Sequence, residues 1–448
     1  MAATGVNSLV SQLQQHWFLT GMPADTFGEA GEAFLYMSKR FGSESKLGGD
    51  NLIQHPVRSQ LQGGGGNNFN RTLANHVSPS GERFVVPVAR HWEFVRILDR
   101  LMALNPDGKY MVSKMSALMD TLDQAAKSWM RGMSYLLWSD GRQLLAKGDG
   151  AYAVAGTTIT FLNSDNVLKF EIGDVIRLIS TATAAGTAPG VVPAAEVGSL
   201  TVTNVTDTGL EVDQTINVAI PTATNADYIS KDNYQTAGAT DPDDVTPFTG
   251  IFGYLAETNT LANATFYGVD RSKAPNRLAG SRVALSGSET PWTIVSKIMQ
   301  RARKSGAKID TIYIPSSQVE AMMEELASRN IQHRPVYVPP SEPQHLVIGV
   351  TAIEALYGSM AVKIVDDRFM SDPDVTSDQD RRYVALNTAD MVLDTTQDAV
   401  GWKDYDGDGT YVQQEAGEPT YKAQYGAFCQ YLYANPKNAV IAKVGADA

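Results

Sequence analysis

Asp404, Asp406 and Asp408 alternate with Tyr405 and Gly407 ahead of Gly409, and Glu415 follows after five intervening residues. This is the spacing of a twelve-residue calcium loop, with oxygen ligands at its first, third, fifth and last positions and a backbone carbonyl, here that of Thr410, at the seventh. Asp404, Asp406, Asp408, Thr410 and Glu415 are therefore candidate ligands for Ca²⁺, with Gly409 supplying the sharp turn. Val412 stands where a polar side chain is usual. The flanks Val400-Gly401-Trp402 and Pro419-Thr420-Tyr421 do not read as paired helices. An acidic hairpin turn without metal is the other reading, and both stay open.

Other chemistry is hard to assemble. The run Gly63-Gly64-Gly65-Gly66 continues into Asn67, Asn68 and Phe69, with no lysine to reach a phosphate. Gly148 and Gly150 lack the third glycine of a dinucleotide fingerprint. The six histidines are scattered at no ligand spacing, and no Gly-x-Ser-x-Gly elbow occurs. Cys429, in Phe428-Cys429-Gln430, reads as a small buried residue. No catalytic residue is assigned and the chain is not read as an enzyme.

The 448 residues carry a net charge of −12, which argues against a protein that grips nucleic acid by wholesale phosphate neutralisation. A single cysteine excludes an intrachain disulfide framework. No signal peptide or membrane span is expected, so synthesis in a reducing cytoplasm is the simplest expectation. The length suggests two to four domains.

Residues 46–90 hold glycine runs with strand-like pieces between them, such as Arg83-Phe84-Val85-Val86-Pro87-Val88. A structureless loop of this length is rare inside a compact domain. A two-stranded excursion that packs on another subunit explains it; a disordered surface loop is the alternative. From Val112 to Leu137 apolar residues recur at steps of three and four, and the spacing predicts a helix over 112–147, ~54 Å long. Its Met and Trp content is read as core. At 148–235 short Thr- and Val-rich pieces alternate with turns, as in a small β-barrel or sandwich. Beyond it, Pro291 opens a helix over 292–304 with Thr290 as cap, Lys308–Pro315 reads as a strand, 318–327 as a helix, and 360–365 and 383–386 as strands. Residues 421–444 close a sheet.

This order of parts, together with Phe252-Gly253-Tyr254-Leu255, Tyr267-Gly268-Val269-Asp270-Arg271, Asp310-Thr311-Ile312-Tyr313-Ile314-Pro315 and Gly358–Asp367 ahead of Tyr383-Val384-Ala385-Leu386-Asn387, resembles the major capsid proteins of tailed bacteriophages with the HK97 fold. The resemblance covers most of the chain through short motifs. It implies an α+β, HK97-like capsid fold: an N-terminal arm at 1–45, an extended E-loop at 46–92, a P-domain with its spine helix at 93–147, and an inserted all-β domain at 148–235. A return through 236–290, an A-domain at 291–399 and closing P-domain strands at 400–448 complete it.

It further implies a structural protein that assembles with its own copies into hexamers and pentamers of an icosahedral head. Portal, scaffolding and decoration proteins would be partners, and double-stranded DNA would be enclosed without specific binding. The location implied is the virion capsid, assembled in the host bacterial cytoplasm, with no membrane partner. Gly63, Gly64, Gly65, Gly66, Asn67, Asn68 and Phe69 would form the intersubunit loop. A β-rich tail or surface-layer binding protein and an α/β enzyme are the rival classes. The calcium reading has its own test. Glu415→Gln should lower the melting temperature as far as EDTA lowers that of the parent, and the loss should shrink as calcium rises; equal melting in EDTA and in millimolar calcium leaves a bare acidic turn.

Overall fold

The computed structural model describes residues 33, 47–48, 52–60, 63, 67–75, 77–98, 111–234, 247–258, 261, 264–328, 353–357, 360–395, 401–402, 412–414 and 420–444. They form a mixed α/β architecture of five sheets and three principal helices, with smaller turns between them. The candidate ligands Asp404, Asp406, Asp408, Thr410 and Glu415 lie outside the described residues, as do Gly64, Gly65 and Gly66.

The chain first builds a hairpin. Strand β1 (Leu52–Gln60) runs antiparallel to β2 (Ser80–Pro87) in register from Leu52↔Pro87 to Gln60↔Ser80, and the two-residue strand Leu47–Gly48 adds to β1. A short helix, α1 (Phe69–Ala74), sits in the excursion between them, where the sequence suggested only strands and glycines. Asn68 makes this helix start, its side-chain oxygen accepting from Arg71 N at 3.1 Å.

The centre is a ribbon with a helix laid on it. Strand β3 (Ala89–Leu98) pairs antiparallel with a fourteen-residue strand near the C-terminus, Thr420–Tyr433, over ten residue pairs. The buried face of this ribbon receives helix α2 (Met111–Leu137). Trp129 is the anchor. Its ring packs edge-on to Tyr425 at 5.7 Å and beside His91 at 5.9 Å, while its Nε1–H donates to His91 O at 2.9 Å. Alternation along β3 follows from this one-sided burial: Ala89, His91 and Val95 point at the helix, whereas Arg90, Phe94 and Arg96 are exposed.

Helix α2 stops at Leu137, ten residues short of the expected 147, so it spans ~40 Å. The reason is packing. The backbone of Gly250 abuts the last turn so closely that a Cβ there would stand 2.1 Å from Leu137 O. Trp138 and Ser139 close the turn with short-range bonds to Tyr135 O and Leu136 O, and Gly141 then takes a φ of +86°.

Residues 146–231 form a six-stranded antiparallel sheet. Its strands are β4 (Ala146–Lys147), β5 (Thr158–Thr160), β6 (Val175–Ile179), β7 (Leu200–Val205), β8 (Gly209–Val212) and β9 (Tyr228–Lys231), in the order β4-β9-β6-β7-β8-β5. The two edges meet: Asp149 N donates to Thr160 O at 3.0 Å and Leu162 N to Lys147 O at 2.9 Å. The sheet is therefore a closed barrel, which removes its free edges. Ile159, Ile176, Leu178, Val202, Leu210 and Ile229 fill it.

The second half makes a mixed sheet flanked by two helices, α3 (Pro291–Ser305) and α4 (Ser317–Ser328). Its strands are β10 (Ser281–Leu285), β11 (Thr311–Pro315), β12 (Ile353–Tyr357), β13 (Met360–Asp367), β14 (Tyr383–Leu386) and, last in the chain, β19 (Val440–Val444), ordered β10-β19-β14-β11-β13-β12. Between them in sequence, β15 (Met391–Thr395), β16 (Gly401–Trp402) and β17 (Val412–Gln414) take the free edge of the long strand β18 (Thr420–Tyr433). Two expectations need correction here. The expected layer 291–399 also recruits Ser281–Leu285 and Val440–Val444 and loses Met391–Thr395, because strands join the sheet that buries them and not the one nearest in sequence. Thr290 is the N-cap residue of α3, but its side chain makes no capping bond; its hydroxyl goes to Thr293 and Glu325, and the other Glu325 oxygen accepts from Trp292 N at 2.7 Å. A carboxylate from α4 thus satisfies the α3 N-terminus.

No helix among the described residues is long and apolar enough to cross a membrane. Trp129→Ala should cost about 3–5 kcal/mol, since it empties the centre of the helix–ribbon contact; a urea titration followed by circular dichroism measures it.

Candidate functional site

Two features stand out from the packed body: the hairpin β1–β2 and a buried knot of charge beneath the barrel. Among the described residues, the hairpin's contacts with the body lie along its paired strands, which form its base. Phe84 and Val86 are fully buried, with the Phe84 ring edge-on to Tyr254 and Phe266 at 6.0 and 6.2 Å. His55 Nε2 bonds Ala434 O at 2.7 Å, Arg277 Nη1 donates to Ser59 O at 3.1 Å, and Val85 N donates to Tyr267 O at 2.9 Å. Lys273 pairs with Glu82 at 2.6 Å.

Beyond this base the character changes. Every residue from Gly63 to Gly81 whose exposure is described is exposed, Leu73 at 67 %. Gly63 still belongs to the hairpin, exchanging backbone bonds with Val77 at 3.0 and 3.2 Å. Asn67 and Asn68 are exposed, and Phe69 opens α1. Of the seven residues singled out from the sequence, the described ones thus lie together at the far end of a two-stranded projection.

The segment Gly268-Val269-Asp270-Arg271 organises the base. Gly268 takes a φ of +79° to turn the short hairpin Thr265–Phe266/Val269–Asp270, and Asp270 accepts from Ser272 N at 3.0 Å. Arg271, 1 % exposed, donates to the carbonyls of Gly253, Leu261 and Ala264 at 3.0, 2.8 and 3.3 Å. Burial, then the neighbouring Arg282 charge, lower its pKa to about 10, so it remains cationic at neutral pH. It is a clamp on backbone carbonyls, chemically complete within the chain.

The knot of charge joins four stretches of chain. Asp372, 1 % exposed, receives Arg382 Nη2 and Lys443 Nζ, each at 2.7 Å. Glu257 pairs with the same two cations at 3.1 and 2.9 Å. Asp380 accepts from Asp372 N at 2.8 Å and from Asn163 Nδ2 of the barrel at 3.2 Å. Lys169, also from the barrel, donates to Leu145 O and Ser371 O at 3.1 and 3.3 Å. Burial opposes the ionisation of Asp372, but the charges of Arg382 and Lys443 overcome it and hold the carboxyl below its usual range. Asp380 gains no such excess: burial and the Asp372 charge raise it from 3.8 to about 7. Burial and repulsion from Arg382 lower Lys169 from 10.5 to about 7.

No local pattern announced this cluster, whose members come from four separate stretches of chain. The available signal was weaker: Lys169, Arg382 and Lys443 each interrupt or abut a short apolar run, Val167-Leu168, Tyr383-Val384-Ala385-Leu386 and Val440-Ile441-Ala442. Among the described residues no three His, Cys, Asp or Glu side chains are grouped to hold a metal ion. Cys429 is buried in β18.

No protein-family model matches the chain, and no curated protein matches it. Solved structures do. The chain is similar to the capsid asymmetric unit of cyanophage A-1(L), with 10% identity, a TM-score of 0.46, and 91% of this chain and 92% of that one covered. It is similar to the capsid of a native GTA particle at 9% identity and a TM-score of 0.37, covering 92% and 90%. The capsid of Myoviridae phage XM1 matches at 10% identity and a TM-score of 0.34, covering 93% and 92%. All three are capsid structures, two of them from phages, and each is matched along about nine-tenths of this chain.

The charge knot sets a pH signature. Asp380 is raised in the fold, so its contribution to stability is full below 3.8 and is lost as pH rises to about 7. Lys169 is depressed, so its contribution is full above 10.5 and is lost as pH falls to about 7. Asp380→Asn should flatten the acid limb of stability against pH, and Lys169→Met the alkaline limb, each by roughly 2–4 kcal/mol across its window; urea midpoints at stepped pH read both.

Proposed function

We propose that this chain is a structural major capsid protein, with an HK97-like fold, that assembles with its own copies into the hexamers and pentamers of an icosahedral phage head. The observation that carries the reading is the hairpin: anchored by its base on its own subunit, it carries its far end, Leu73 and Val77 included, out into solvent. A two-stranded ribbon has no core of its own and is marginal in water. A neighbouring subunit supplies what it lacks, and an arm laid on a neighbour buries much area for few residues.

On this reading the hairpin at 52–87 is the E-loop, α2 the spine helix, and the β3–β18 ribbon the P-domain sheet. The mixed sheet with α3 and α4 is the A-domain, and the barrel at 146–231 an inserted domain. The work done is association and not catalysis. Identical contacts repeated around closed rings give a shell instead of a fibre. An overall charge of −12 suits a container for double-stranded DNA that holds its contents mainly by enclosure. Portal, scaffolding and decoration proteins would meet the shell in the host cytoplasm.

Deleting Gln62–Phe69 should leave a soluble subunit that melts within a few degrees of the parent, because the hairpin base is untouched, yet shells should fail or misform. Negative-stain microscopy decides: normal particles from the deletion would falsify the intersubunit role of this loop.

A further inference from the structure

On a chain of net charge −12, the C-terminal end of α3 concentrates positive charge. Arg301, Arg303 and Lys304 occupy its last turns, Gly306 ends it in the left-handed conformation, and Lys308 follows. Lys437 arrives from the turn before β19, its Nζ 3.8 Å from where a Cβ at Gly306 would stand. The two segments are tied together, Lys308 N donating to Asn438 Oδ1 at 3.1 Å. Arg303, Lys304 and Lys308 are exposed. Among the described residues none of the five cations forms an ion pair. The carboxylates on the adjoining segments are committed elsewhere: Asp310 accepts from Thr388 N at 3.0 Å, and Asp390 from Asn438 Nδ2 at 2.7 Å.

The helix dipole accounts for cations in the last turn, hence for Arg303 and Lys304. It accounts equally for Lys437, whose Nζ stands beside the C-cap Gly306, but not for Lys308, which lies beyond the helix and adds to the same charge. A convergence of unpaired cations raises the local potential and favours an anionic partner.

We propose that this patch binds the phosphodiester backbone of double-stranded DNA without reading its sequence, a proposal that rests on the capsid reading for the source of that DNA. Two features favour this partner over others. No large apolar side chain is exposed between residues 291 and 310, so a protein interface would lack the apolar centre such interfaces need. The one aromatic residue in that stretch, Trp292, stands at the opposite end of α3, so there is no platform on which single-stranded bases could stack. What remains is a set of long, flexible cations, the chemistry of phosphate contact.

The test uses the full-length, unassembled protein and a short fluorescent duplex, followed by anisotropy from about 50 to about 200 mM salt. Binding should weaken with salt by about 0.9 in the logarithmic slope for each phosphate neutralised. The triple variant Arg303→Gln, Lys304→Gln, Lys308→Gln should make the slope shallower by about 2.7 while its melting temperature holds. Lys437→Gln, on a different segment, should remove about one further phosphate's share. An unchanged slope in these variants, or no duplex binding by the parent at the lowest salt, overturns the proposal. So does unchanged duplex binding with lost shell assembly, which would assign the patch to an acidic surface of a second copy. The two readings fail separately: a protein that binds duplex through these cations but never forms particles loses the capsid reading alone.

Discussion

The fold hangs on a single contact, the laying of α2 against the β3–β18 ribbon through Trp129. Burying this ring excludes water from the one long helix and from the ten-pair ladder at once. The consequences reach His91, whose imidazole is held neutral: burial, with the nearby Lys231 charge, lowers its pKa to about 4. They also reach Gly426. A Cβ there would stand 2.1 Å from His91 O, so only glycine lets the two strands approach closely enough for the helix to lie flat. Once this slab exists, the hairpin leaves from one end of β3 and the barrel from the end of α2.

The barrel is attached to the slab by charge as much as by apolar contact. Lys231 stands over the Tyr135 ring at 5.4 Å, Arg131 pairs with Glu171, and Lys169 and Asn163 reach into the knot around Asp372. Buried charge of this kind adds little net stability, because desolvation offsets attraction, but removing one partner leaves another stranded. It fixes geometry. Asp372 is satisfied only when β14, which follows Arg382, and β19, which carries Lys443, lie side by side, so the knot checks the register of the mixed sheet against the seat of the barrel.

The sequence left a legible record wherever order is local. The 3.6-residue stripe ending at Leu137 identified the long helix, and alternation with turn residues located strands at 158–160, 175–179, 200–205 and 383–386 to within a residue or so. Gly63, where the glycine run begins, and the Asn67-Asn68 pair marked the hairpin's outer part, because residues with little or no apolar side chain have nothing to bury there. The family resemblance also rested on local words, and one of them, Gly268-Val269-Asp270-Arg271, proved to be a built turn with a guanidinium clamp.

What the sequence could not state is which distant partners those elements meet. The helix end at Leu137 depends on Gly250, more than a hundred residues away; the cap of α3 comes from Glu325; the knot of Glu257, Asp372, Asp380, Arg382 and Lys443 has no local pattern at all. The same holds for the cations that Lys308 and Lys437 bring together. By itself the sequence determined the elements, since backbone propensity and side-chain period act over a few residues. Only the tertiary structure decided the boundaries, the closure of the barrel and the pairing of buried charge. Those are settled by desolvation and steric contact between segments whose distance along the chain says nothing about their distance in space.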